Sequence, residues 1–209
     1  VTNTSLPVVV VSQRVDHIDA RLEHRDALDQ RLIAWLLRVG VLPVPVPNQL
    51  GLFDASLYEW LAVVKPSGVV LSGGNDLGEF LTRDATELGL IKYAASKNLP
   101  LLGVCRGMQM LAHVAGVALN QIEGHVATRH RLRVVDSQGG WPTEVNSYHQ
   151  FSLSACPTNY VVAAFASTGE IEAMRHLTLP WEGWMWHPER EEIFSEIDIH
   201  RLKTLFNVK

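Results

Sequence analysis

The chain predicts an α/β fold, a mostly parallel sheet with helices packed on both faces. Two observations carry that expectation. Short β-branched runs such as "PVVVVSQR" (7–14) and "SGVVLSGG" (67–74) are apolar at consecutive positions, as strands buried on both faces must be. Between them lie stretches whose apolar residues recur at helical spacing, the pattern of helices laid on a sheet.

The elements follow in order. After the first strand, "DALDQRLIAWLLRVG" (26–40) puts Leu28, Leu32, Trp35, Leu36 and Val39 on one helical stripe, with Gly40 as its stop. "VLPVPVP" (41–47) is extended, "LYEWLAVV" (57–64) is a short helix, and 67–74 is the next strand, ending in a Gly-Gly turn. "TRDATELGLIKYAASKN" (82–98) reads as helix, "LPLLGV" (99–104) as strand, and "RGMQMLAHVAG" (106–116) as the helix leaving it. Beyond Gly116 the pattern changes. "HRLRVVD" (130–136), "NYVVAAFAS" (159–167), "EIEAMRH" (170–176) and "WEGWMWH" (181–187) read as shorter strands, some of them antiparallel, before a last helix at 197–206. No repeat, linker or low-complexity tract interrupts the chain, so one domain over 1–209 is expected.

Composition narrows the function. The apolar fraction of 47% and charged fraction of 19% are ordinary for a globular protein. A formal net charge of -4 gives no electrostatic reason to expect nucleic acid or an anionic membrane as partner. Two cysteines, Cys105 and Cys156, make no disulfide framework and point to a reducing cytoplasm. The apolar runs are too short to cross a bilayer, and no basic region followed by a long apolar one opens the sequence.

The stretch "GVCRG" places Cys105 where an apolar strand gives way to a helix, between two glycines. One reading makes it a small buried residue, the common fate of a free cysteine. The other makes the turn a nucleophile elbow, G-x-S-x-G with sulfur in place of oxygen. At a helix N-terminus the dipole and free N–H groups favour a thiolate, and the Arg106 N–H faces any oxyanion formed beside the sulfur. Cys156, in "LSACPTNY", lies outside any elbow and reads as structural.

A cysteine nucleophile needs a base, and the base an orienting group. "WMWHPER" supplies His187 and Glu189, which project to the same side if the segment is extended, with Pro188 holding that shape. The competing reading is a solvated loop, favoured by the charges at 189–192. Gly73 and Gly74, in "LSGGND", either turn their amides toward a ligand or form an ordinary turn. Gln109 lies one helical turn past Cys105, within reach of a substrate or of solvent. His149, in "VNSYHQ", fits a pocket wall better than a base. His125 and His130 have a spacing suited to a metal, but no clustered carboxylate is visible in the sequence to complete a site, so no metal is expected.

Taken in order, "LSGGND", "GVCRGMQ", "VNSYHQ" and "WHPER" resemble the class I glutamine amidotransferase superfamily, and within it the γ-glutamyl hydrolase branch (peptidase family C26). The resemblance spans nearly the whole chain. It implies a flavodoxin-like three-layer sandwich with a small antiparallel sheet, and a Cys105–His187–Glu189 triad. It also implies an oxyanion hole from the backbone of Gly74 and Arg106. Gly73, Gln109 and the loop Asn146, Ser147, Tyr148 and His149 would hold the glutamyl group. No cofactor is implied. The chain departs from the branch at Trp186, where a glutamine commonly precedes the His-Pro-Glu, and in "NDLGEF", which lacks a proline often found after the Gly-Gly turn.

The implied reaction is hydrolysis of a γ-glutamyl amide through a γ-glutamyl thioester. The opening "SQRVDHIDARLEHRDALDQRL" is similar to small members associated with surface polysaccharides, some similar to γ-glutamyl-CDP-amidate hydrolases, so a γ-glutamyl nucleotide or amine conjugate is one expected substrate. The alternative is a glutaminase subunit delivering ammonia to a separate synthetase; a homodimer is a further partner option. A binding module that merely kept the fold would be expected to lack a triad member, and all three are present.

Overall fold

The computed structural model describes residues 6–208. The first half of the chain runs β1 (Val8–Val11), β2 (Arg14–Ile18), β3 (Glu23–Ala27), α1 (Gln30–Val39), β4 (Leu42–Pro45), α2 (Asp54–Val64), β5 (Gly68–Leu71), α3 (Leu81–Lys97), β6 (Leu101–Val104) and α4 (Arg106–Val114). The second half runs β7 (Leu119–Gln121), β8 (Val126–Val134), β9 (Glu144–Tyr148), β10 (Phe151–Leu153), β11 (Tyr160–Ala166), β12 (Ile171–His176), β13 (Trp181–Trp184) and α5 (Glu196–Leu205).

Nine strands form one sheet in the order β4-β1-β5-β6-β13-β12-β11-β8-β9. The first five are parallel, and by their order along the chain they follow the flavodoxin sequence 2-1-3-4-5. Strands β1, β5 and β6 consist of valine, leucine and two glycines and are buried almost throughout without alternation, Val9, Val10, Val69, Val70, Leu101 and Leu102 among them. Pro43 and Pro45 fall on β4, the sheet edge, where a missing N–H breaks no ladder. One face packs on α1 and α5 through Trp35, Leu36, Ile199 and Leu202; the other packs on α2, α3 and α4 through Leu57, Leu90 and Met108. Burying one such side chain contributes about 1.5–3 kcal/mol. Trp184 and Trp186 stack at 5.3 Å between ring centroids, with Trp35 and Trp141 edge-on, so these tryptophans fill the core.

Two local expectations are corrected, the start of the first helix and the loop at 145–150. The helix expected from residue 26 starts at Gln30, because residues up to Ala27 pair with β2 in a two-stranded antiparallel ribbon. Asp29 caps the helix by accepting from the Arg31 amide. The antiparallel strands β12, β11, β8 and β9 continue the central sheet, and the small antiparallel pairing expected beside it is present as β2–β3 and β7–β10. The short connection from β12 into β13 makes that reversal direct. Four of the six residues of "VNSYHQ" are strand rather than loop, since Val145, Asn146, Ser147 and Tyr148 lie on β9.

Candidate active site

Cys105 sits at the carboxyl end of β6 as the N-cap of α4, with φ 50° and ψ -106°. A left-handed φ on a residue with a Cβ is strained, and it persists only where its surroundings over-determine it. Here the Cys105 amide donates to the Trp184 carbonyl at 2.7 Å, and its own carbonyl accepts from the Gln109 amide at 3.1 Å. The flanking glycines have a steric role. A Cβ on Gly103 would stand 2.6 Å from the Gly107 carbonyl carbon, and one on Gly107 would stand 2.2 Å from the Leu71 oxygen. Strand and helix therefore approach as closely as an elbow requires.

His187 follows β13, the neighbouring strand, and Nδ1 lies 2.6 Å from Glu189 Oε1. Pro188–Arg190 form a 3-10 turn, not the extended segment expected, and it is this turn that folds the carboxylate back onto the imidazole. Proline suits both shapes because its fixed φ is common to them. Burial disfavours the charged imidazole, but the neighbouring Cys105 and Glu189 charges outweigh it and raise His187 to about 9. A raised value means that the imidazolium prevails at neutral pH beside the thiol. Its contribution to stability is full below the unfolded value of about 6.5 and is lost as pH rises through about 9. The His187 proton titration, followed by NMR, is expected to move down in Cys105→Ala, because the first charge that raises it is gone; an unmoved midpoint would contradict the coupling.

The third loop of the cleft, after β5, is held from beneath. Arg83 is wholly buried and donates to the carbonyls of Ser72 at 2.7 Å, Gly73 at 3.0 Å and Gly74. Glu87 accepts from Arg83 at 3.1 Å, from Ser12 at 2.8 Å and from the Arg106 guanidinium, which also reaches Asp84. Burial, set against the Glu87 charge, lowers Arg83 to about 10, so it remains charged at neutral pH. One buried carboxylate thus ties the Gly-Gly loop to the elbow.

The remaining predicted residues divide. Cys105, Arg106, Gln109, Gly74, Tyr148, His149 and His187 share a cleft of about 190 Å³. Gln109 spends its amide N–H on the Phe151 carbonyl at 3.1 Å. Asn146 and Ser147 do not line that cleft. Asn146 clamps His187 instead, donating to its carbonyl at 2.8 Å and accepting from its amide at 3.0 Å. Ser147 donates to the His125 carbonyl at 2.7 Å. Gly73 lines an adjoining cavity of about 310 Å³ that also holds Arg14, Asp29, His187, Glu189 and Arg190. A Cβ on Gly73 would lie 2.5 Å from His187 Cε1, so this glycine makes room for the imidazole. Gly73→Ala is expected to displace that ring and lower kcat by roughly 10²-fold with the fold retained, measured by steady-state rates beside a melting curve.

A family model described as glutamine amidotransferase class-I matches residues 16–201. The chain belongs to this family. The γ-glutamyl-CDP-amidate hydrolase of Campylobacter jejuni is 33% identical over 207 residues, covering 95% of this chain and 96% of that protein. A glutamine-hydrolyzing GMP synthase subunit of Thermococcus kodakarensis is 26% identical, covering 82% of this chain and 88% of its own length. Among solved structures, one from Thermoplasma acidophilum described as a GMP synthase subunit superposes with a TM-score of 0.72 at 25% identity, covering 98% and 94% of the two chains. A glutamine amidotransferase of Thermotoga maritima shares the fold, with a TM-score of 0.65 at 17% identity over 97% of this chain and 85% of that one.

For a class-I glutamine amidotransferase, the sequence left several residues of this site unread. Arg83 and Glu87 carried a signal, being charged residues on the stripe 83, 87, 90, 94 that faces the core. Arg190 falls within a run that reads as solvated, yet its guanidinium lies 4.5 Å over the Tyr148 ring and its buried Nε, which has no hydrogen-bond partner, stands 3.9 Å from Glu189 Oε1. Among the described residues no helix is long and apolar enough to cross a membrane.

Proposed function

We propose that this chain is a single-domain cysteine hydrolase of γ-glutamyl amides, acting in the cytoplasm through Cys105, His187 and Glu189. The thiolate attacks the γ-carbonyl carbon, and the oxyanion that forms takes hydrogen bonds from the backbone of Gly74 and Arg106. The His187 imidazolium gives its proton to the leaving nitrogen, the C–N bond breaks, and a γ-glutamyl thioester remains. With the thiolate consumed, the charge that raised His187 is gone. The neutral imidazole then takes a proton from water, which cleaves the thioester and releases glutamate. Glu189 holds the ring through Nδ1 at both stages. The observation that carries this reading is His187, held by Glu189 at 2.6 Å, facing a thiol on a strained elbow.

The leaving group we assign is a phosphorylated one, as in γ-glutamyl-CDP-amidate. Support comes from the cavity beyond His187, lined by Arg14 and Arg190 together with Asp16, Asp29 and Glu189, whose carboxylates are already paired with Arg14, Arg31 and His187. Guanidinium groups suit phosphate oxygens better than a plain amine would require. Incubation with γ-glutamyl-CDP-amidate, glutamine and simple γ-glutamyl amines, scored by free glutamate, tests this. The phosphorylated conjugate is expected to have the highest kcat/KM, and Arg14→Ala, at a residue that lines the adjoining cavity and not the thiol cleft, is expected to raise its KM while leaving that of glutamine near unchanged. Equal turnover of all three would contradict the assignment.

A second reading is a glutaminase subunit serving a separate synthetase, favoured by the likeness to the GMP synthase subunits. It predicts a chain nearly silent toward every γ-glutamyl compound alone and awakened by its partner.

A further inference from the structure

Beside the thiol cleft, the pairing of β8, β9 and β12 assembles a cluster invisible in the sequence. His125 precedes β8, His130 lies on it, His149 sits in the turn between β9 and β10, and Glu172 lies on β12. The sequence offers His125 and His130 no third ligand; in the fold, Glu172 supplies it. One ligand atom each from His125, His130 and Glu172 lie within 4.8 Å of one another. Glu172 Oε1 is 3.7 Å from His125 Nδ1 and 3.4 Å from His149 Nε2, while Oε2 is 3.4 Å from His130 Nε2.

These separations are long for N–H···O hydrogen bonds, which favour about 2.7–3.2 Å. The two at 3.4 Å match another geometry, and the His125 contact at 3.7 Å is a little wider than it. Two ligands each about 2.0–2.2 Å from a tetrahedral zinc ion stand about 3.3–3.5 Å apart. The inward atoms, His125 Nδ1, His130 Nε2, His149 Nε2 and both Glu172 oxygens, are buried and have no hydrogen-bond partner. Glu172 is fully buried, and its ionic neighbours among the described residues are histidines alone. A buried carboxylate requires a countercharge. One imidazolium would supply it but leave two other inward ring nitrogens without a partner, and a second would set like charges against each other, with centroids only 4.8 Å and 4.9 Å apart.

The outward atoms are oriented as second partners of metal ligands should be. His149 Nδ1 lies 3.1 Å from the Phe151 carbonyl, so that nitrogen carries the proton and Nε2 turns its lone pair inward. His125 Nε2 lies 3.5 Å from Glu170 and 3.4 Å from the Thr168 hydroxyl. Carboxylate or carbonyl acceptors behind the ring fix the tautomer and raise ligand basicity.

We propose that His125, His130, His149 and Glu172 form a structural site for a divalent zinc-type cation. Four protein ligands close the coordination shell, which suits a bracing ion rather than a catalytic one. Because His149 also lines the thiol cleft, the ion would lock β8, β12 and the β9–β10 turn into one wall of the substrate site.

The test uses the full chain, stripped by chelator and titrated with zinc and then with cobalt(II). One equivalent of zinc per chain is expected by elemental analysis. The cobalt form should show the visible bands of tetrahedral coordination without a thiolate charge-transfer band. His130→Ala and Glu172→Gln, each checked for fold by circular dichroism, are expected to weaken binding by at least about 100-fold. Cys105→Ala should keep the full equivalent. Substoichiometric binding, a thiolate band, or loss of metal in Cys105→Ala would overturn the proposal; these readings decide it even if a cluster variant fails to fold.

Discussion

Cys105→Ala is expected to lower turnover of any γ-glutamyl substrate by at least about 10⁴-fold, with the folded state retained. The loss is large because no other group can form the acyl bond. Cleavage then falls back on positioning and the oxyanion amides alone. The fold is expected to survive, since the substitution removes only a sulfur from a site that opens on the cleft. Cys156→Ala should leave the rate unchanged. That thiol lies 3.4 Å from the Tyr160 carbonyl, and burial raises its pKa, opposing the thiolate form. Glu189→Gln is the graded companion. It leaves the nucleophile in place but weakens the hold on His187, so kcat should fall by on the order of 10²-fold or more without vanishing.

Glu87→Ala carries the largest expected effect on stability. It would leave the guanidinium groups of Arg83 and Arg106 buried without their shared carboxylate. Breaking a buried pair in this way costs about 3–5 kcal/mol, because the remaining charge is uncompensated. For a domain of this size that corresponds to a fall in Tm of roughly 6–20 °C. The same change frees the Arg83 side chain that fixes the Ser72, Gly73 and Gly74 carbonyls, so activity should fall at temperatures where the variant is still folded. Glu87→Gln, which keeps the shape and part of the hydrogen bonding, should lie between the two. A melting temperature unchanged in Glu87→Ala would refute the role given to this carboxylate.

How much of this was legible in the sequence differs from residue to residue. The elbow was readable because its chemistry and its sterics sit within five consecutive residues, Gly103 to Gly107. The parallel half of the sheet was readable because strands buried on both faces lack alternation. The His187–Glu189 contact was anticipated from spacing, though for the wrong local shape, since proline at 188 permits a 3-10 turn as readily as an extended one. The family resemblance placed Asn146 against substrate; only the approach of β9 to the turn after β13 assigns its amide to the His187 backbone. Glu172 could not be joined to His125, His130 and His149, because that juxtaposition depends on which strands pair across the second half of the sheet. The β2–β3 ribbon was missed where charged residues alternate without an apolar face to mark either periodicity.

The central claim, a glutamyl group carried on Cys105, is tested most directly by peptide mapping. The protein is mixed with substrate, quenched in acid within the first turnover, and digested for mass spectrometry. The account predicts a glutamyl mass increment on the peptide containing Cys105, lost on treatment with hydroxylamine and absent from Cys105→Ala. An increment on Cys156, or full turnover with no acylated cysteine at any quench time, would contradict it.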